Sequence, residues 1–123
     1  LNALIEADRV TNLGVEPEVV DTPSASGRGQ QIARCPHCRI AVWSHYAGAG
    51  RLAAFVRVGT LDQAGRLPPD IHIFTASKQP WVVIPPGMRA VPEYYARDDV
   101  WSPESRARGD VLRAQARAQR AAP

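Results

Sequence analysis

Apolar and polar residues alternate in short runs along most of the chain, the pattern of strands with one face buried. Ala3-Leu4-Ile5-Glu6 opens a first run that continues through Val10–Leu13 and stops at Gly14. Pro17–Thr22 reads as a second strand, with Pro17 at its start, where a missing N–H does no harm. Pro23–Gly29 consists of small polar residues, two glycines and a proline, the chemistry of a hairpin tip. Strand pattern resumes at Gln30–Ala33 and again at Ile40–Tyr46, where Ile40, Val42, Ser44 and Tyr46 share one face and Ala41, Trp43 and His45 the other. Leu52–Val58 is the clearest strand of the chain, and Ile71–Phe74 and Trp81–Ile84 read as two more before Pro85-Pro86-Gly87. Short strands punctuated by Gly and Pro at intervals of roughly 8–12 residues predict a mainly β fold, a sandwich or barrel-like sheet.

The pattern changes after Tyr95. Ser102-Pro103-Glu104 is a helix start, with Ser as N-cap, Pro at the first position and Glu in the first turn. From Ser105 to Ala121 the residues are mostly Ala, Arg and Gln, all good helix formers, with a thin apolar stripe at Val111 and Leu112. This predicts a β domain over residues 1–96 and an arginine- and alanine-rich helix and tail over 97–123. Trp101 is the residue expected to pin that helix to the sheet, and the five helix arginines read as a solvated face.

Composition narrows the class. A chain of 123 residues fits one domain and buries about two-thirds of its unfolded surface. No apolar run approaches the ~18 residues of a membrane span, so no membrane role is expected. Leu1–Val15 has no secretory pattern, which together with only two cysteines predicts a cytoplasmic, reducing setting. The chain starts without methionine, and its one Met is Met88; the expectation is an N-terminally truncated piece of a longer protein, with a degenerate relative as the alternative. Net charge is +3, and fourteen of the fifteen basic residues are Arg, a bias read here as genome base composition rather than anion binding. With no dense basic cluster interleaved with aromatics, nucleic acid is not an expected partner.

The candidate chemistry sits at Arg34-Cys35-Pro36-His37-Cys38-Arg39, which holds both cysteines. Two thiolates with two residues between them grip one soft cation from a tight knuckle, and tetrahedral Zn²⁺ takes four such ligands. Cys35 and Cys38 are therefore candidate ligands of half a zinc site. Its other half would come from a second copy of the chain in a homodimer or from a nitrogen of His37 or His45; an empty vestigial knuckle is the alternative. A redox dithiol fits less well, because strands rather than a helix N-terminus flank the pair. His72, between Ile71 and Ile73, reads as structurally hydrogen-bonded, yet it is the histidine best placed for proton transfer near neutral pH. Asp62 reads as a turn cap, and Trp43, Phe55, Phe74 and Trp81 as core.

Several stretches match one family in order: Arg34-Cys35-Pro36-His37-Cys38 with Val42-Trp43, then Val58-Gly59-Thr60-Leu61-Asp62, then Pro69-Asp70-Ile71-His72-Ile73-Phe74, then Lys78-Gln79-Pro80-Trp81. From about Leu1 to about Tyr95 the chain resembles the glutathione-dependent formaldehyde-activating enzymes, a group that includes centromere protein V-like proteins. The resemblance implies an Mss4-like distorted antiparallel β-sandwich, here followed by a C-terminal α-helix. It implies a structural zinc shared between a CxC pair and the knuckle cysteines that align with Cys35 and Cys38, and a catalytic zinc held by a CxCxxC segment. Both of those other segments align ahead of Leu1, and Arg39 stands where the family commonly has glycine. The implied reaction belongs to the carbon–sulfur lyases: glutathione adds reversibly to formaldehyde, giving S-hydroxymethylglutathione. The implied partners are thus a small glutathione-like thiol and an aldehyde, with Arg57 and Lys78 as candidate contacts for glutathione carboxylates. A chain without the catalytic ligands is expected to be inactive; the competing expectation is a non-catalytic, zinc-stabilised or metal-free scaffold that binds a partner.

Overall fold

The computed structural model describes residues 1–121, so the last two residues of the predicted tail, Ala122 and Pro123, lie outside the described residues. Five strands form one antiparallel sheet: β1 (Asn2–Glu6), β2 (Glu18–Thr22), β3 (Gln30–Arg34), β4 (Ala41–Tyr46) and β5 (Ala53–Arg57). Their order across the sheet is β1-β5-β4-β3-β2. Strands β2 to β5 follow one another as a meander, while β1 crosses to the far edge and pairs with β5, Asn2 opposite Arg57 and Glu6 opposite Ala53. The chain is mainly β with a C-terminal helix, as its residue pattern predicts.

The pairing fixes which residues share a face. Ile32, Ser44 and Phe55 lie side by side across three strands, with Leu4 next to Phe55 on β1. Ala33, Trp43 and Val56 line up in the same way on the opposite face. Ile32, Ala33, Ala53, Ala54 and Val58 are nearly inaccessible, and Ser44 is wholly so. Small side chains at the centre let neighbouring segments close tightly on the sheet, and Tyr46 meets Phe55 edge to face at 4.8 Å. The described residues form one sheet, and the C-terminal helix lies against the turn at Gly50–Leu52 that precedes β5.

Two predicted strands do not form. At Ile71–Phe74 the extended run breaks because Phe74 adopts the left-handed conformation, φ 54°. His72 makes only an isolated parallel bridge, its N–H donating to Arg89 O at 2.8 Å and its carbonyl accepting from Val91 N at 2.9 Å. Trp81–Ile84 lies between Pro80 and Pro85-Pro86, which cap the run at four residues, and no strand forms there. Consequently Trp81 (75% exposed) and Val83 (83% exposed) are not core, and Phe74 is half exposed. Asp62 makes no capping bond; the turn after β5 is held instead by Thr60, whose hydroxyl donates to Arg57 O at 2.7 Å.

A short helix, α1 (Arg97–Val100), leads into α2 (Pro103–Ala121). The N-cap is Ser102, whose hydroxyl accepts from the Ser105 N–H at 3.2 Å. Trp101 packs on Gly109, where an added Cβ would come within 2.6 Å of the indole, and its ring N–H donates to Tyr95 Oη at 3.0 Å. The indole therefore pins α2 to its own lead-in segment, not to the sheet as expected. The sheet is held by arginines. Arg108 grips the Glu6 carboxylate with two bonds, 2.6 and 2.9 Å, and Arg120 donates to the Gly48 carbonyl. Two of the five helix arginines thus serve the fold, and Arg113 and Arg117 keep the predicted exposure.

Candidate functional site

The knuckle closes the β3–β4 hairpin at one end of the sheet. The pairing of β3 with β4 shifts between Ala33 and Arg34, so the hairpin leaves regular register just before Cys35. Cys35 N–H donates to Ile40 O and Arg39 N–H donates to Cys35 O, both at 2.9 Å, tying the ends of the turn. Arg39 sits at φ 63°. This is backbone that glycine, the residue the resemblance leads one to expect here, would adopt freely, whereas a side chain in the left-handed region costs roughly 1–2 kcal/mol. The arginine has compensating contacts: its guanidinium pairs with Glu18 on β2, and its carbonyl accepts from Arg34 Nη1 at 3.0 Å.

Inside the turn, the backbone N–H groups of Cys38 and then His37 hydrogen-bond the Cys35 sulfur, and the Cys38 thiol adds a further bond. Together they hold the Cys35 thiol below its ordinary pKa against a smaller opposing effect of burial. Both cysteines are free, Cys35 half-buried and Cys38 exposed. A sulfur surrounded by inward N–H groups favours the thiolate and so suits a soft cation such as Zn²⁺. Only two donors converge here, and among the described residues no group of three His, Cys, Asp or Glu side chains is placed to hold a metal ion. The pair fits one half of a tetrahedral site; it does not by itself complete one.

Neither knuckle-candidate histidine adds a third donor beside the two cysteines. His37 is exposed within it. His45 lies at the other end of β4, about 3.3 Å further per residue along the strand. Its Nδ1–H donates to the Ala53 carbonyl at 2.7 Å, an assignment fixed by the carbonyl's inability to donate. It is the satisfied sheet histidine, and its proposed role as a knuckle ligand is excluded by position. His72 departs from the expectation of a structural hydrogen bond: its Nε2 is buried without a partner.

The residue pattern alone did not single out Ser44 or Asn2. Both hold Arg57 at the knuckle end of the sheet, Ser44 Oγ accepting from Nη2 at 2.8 Å and Asn2 Oδ1 accepting from Nη1. The available signal was a serine on the inward face between Val42 and Tyr46, where an apolar residue would be usual. Two surface depressions lie elsewhere. One of about 370 Å³ is lined by Ile71, Arg89, Tyr94, Tyr95 and Asp99, and a shallow one of about 720 Å³ lies between the β2–β3 tip and the β4–β5 loop. Neither includes a cysteine. No helix among the described residues is long and apolar enough to cross a membrane.

A sequence profile of the glutathione-dependent formaldehyde-activating enzymes matches residues 1–77, more than half of the chain. It spans all five strands, the knuckle, Arg57 and His72, and stops just short of Lys78. No curated protein and no solved structure matches the chain.

Proposed function

From the premise that this chain belongs to the glutathione-dependent formaldehyde-activating enzyme family, we propose a carbon–sulfur lyase-like role acting on a small thiol and an aldehyde. The reaction is the reversible addition of the glutathione sulfur to the carbonyl carbon of formaldehyde. One carbon–sulfur bond forms, and the thiol's proton passes to the oxygen, giving S-hydroxymethylglutathione. The observation that carries this reading is the family match running unbroken through the sheet and the knuckle.

Within that reading Cys35 and Cys38 hold half of a structural zinc site that fastens the end of the sheet. They are ligands of the fold and not of the chemistry. Leu1 lies at the same end of the sheet, its carbonyl accepting from Val58 N–H at 3.1 Å. Zinc there would supply rigidity, and the residues of this chain contribute the cradle of N–H groups, the Arg39–Glu18 pair and the sheet itself.

Two measurements on the purified 123-residue chain test the reading. Metal analysis is expected to find well under one zinc per chain; about one half would identify a site shared by two copies. Formation of S-hydroxymethylglutathione, followed by NMR, is expected to stay at the uncatalysed rate. Turnover that rises with added Zn²⁺ would overturn the view that the catalytic ligands lie outside these residues.

A further inference from the structure

Arg57 is the last residue of β5, and by continuation of the β4–β5 register it stands beside Val42, close to the knuckle. It is half-buried, and both of its side-chain partners, Ser44 and Asn2, are neutral. Arg39, Arg97 and Arg108 all have carboxylates: Glu18, Asp98 with Asp110, and Glu6. Among the described residues Arg57 has none within ion-pairing distance. The cation is therefore held without being neutralised.

The manner of holding is informative. Ser44 has no accessible surface and sits between Ile32 and Phe55, a place where a hydroxyl is costly unless bonded. Arg57 is the side chain that bonds it. Asn2 fixes the second terminal nitrogen from the neighbouring strand. A guanidinium carries five N–H donors in a planar fork, so two such bonds leave further donors for an oxyanion while fixing the plane of the fork. Lost side-chain freedom is then not a cost of ligand binding.

We infer that Arg57, oriented by Ser44 and Asn2, is a seat for a carboxylate of the small-molecule ligand. Naming that ligand as the thiol substrate rests on the function proposed above; the seat itself rests on the geometry. Its location matters for the reaction, because a substrate anchored there lies beside the first residues of β1 and the knuckle end of the sheet.

Calorimetric titration of the full chain tests this with three probes: S-methylglutathione, its diethyl ester, and glutarate. S-Methylglutathione is expected to bind, and both esterification and R57Q are expected to weaken it by about tenfold or more, the usual worth of a charge-assisted pair. S44A should weaken it less, since the fork is then misaligned but present. Because R57Q also removes the partner of buried Ser44, the Arg57 Nε–H resonance of the wild-type chain is followed as well, and it should shift on saturation with S-methylglutathione. Undiminished binding by folded R57Q, or an unmoved Arg57 resonance, overturns the seat and leaves the family reading intact. Arg57-dependent binding of glutarate without binding of S-methylglutathione keeps the seat and removes the glutathione reading. Binding of neither overturns the inference.

Discussion

Leu52–Val58 and Trp81–Ile84 are similarly apolar and have opposite fates. The first supplies β5, an interior strand with β1 on one side and β4 on the other, and Ala53, Ala54 and Val58 within it are almost fully buried. The second lies on the surface with Trp81 and Val83 largely exposed. Intrinsic preference runs the wrong way to explain this, since Trp-Val-Val-Ile has a stronger β preference than Leu-Ala-Ala-Phe. What differs is access to partners. Ala53–Arg57 has a free backbone on both edges, whereas Pro80, Pro85 and Pro86 crowd the other run and leave room for little more than the turn bond from Val82 N–H to Gln79 O. Apolar content decides what would profit from burial; the backbone's unpaired groups decide what can be buried.

The largest expected effect that sharpens this contrast is in the sheet. Ile32→Ala should cost about 3 kcal/mol by urea unfolding, within the range for truncating a buried aliphatic side chain. Trp81→Ala, although it removes a far larger group, should stay within about 0.5 kcal/mol. A loss above that for Trp81 would mean that the run is covered in solution, and the contrast would collapse.

A second comparison concerns the helix. At an exposed helical position glycine to alanine stabilises by up to about 1 kcal/mol. At Gly109 the new methyl would strike the Trp101 indole, so Gly109→Ala should instead destabilise by roughly 1–3 kcal/mol. In a Trp101→Ala background the sign should revert. Thermal unfolding of the two singles and the double variant decides it, and independence of the two sites would refute the contact.

The smallest effect expected is electrostatic. The Arg108 guanidinium holds the Glu6 carboxyl down at about 2 from an ordinary 4.5. The folded state therefore binds this proton less readily than the unfolded one. The stabilisation is complete above pH 4.5 and is lost as pH falls toward 2. Thermal unfolding temperatures measured across that window should drop for the wild-type chain and drop less for Glu6→Gln. Equal slopes would show that the helix is held by something other than this pair.

What the residue pattern revealed was local. Alternation located all five strands, Ser102-Pro103 located the start of α2, and the CxxC spacing located the knuckle, because each depends on neighbours a few positions apart. The contacts that it did not reveal are distant: Asn2 with Arg57, Glu6 with Arg108, Gly48 with Arg120. Trp101 was singled out, but its partner Gly109 was hidden because a mid-helix glycine ordinarily reads as a weakness. Resemblance marked Arg39 as a departure from glycine, and only the structure shows that this position is left-handed.

The crossover of β1 also sets an order of assembly. Loops of six or seven residues join β2 to β3, β3 to β4 and β4 to β5, so these hairpins can close early and independently. Between β1 and β5 lie about 46 residues, and closing that span costs about 2 kcal/mol more in chain entropy than closing a hairpin. Glu6, at the end of β1, is also the anchor for Arg108 of α2. Strand β1 and helix α2 therefore depend on each other: Glu6 has its Arg108 partner only once the helix has docked.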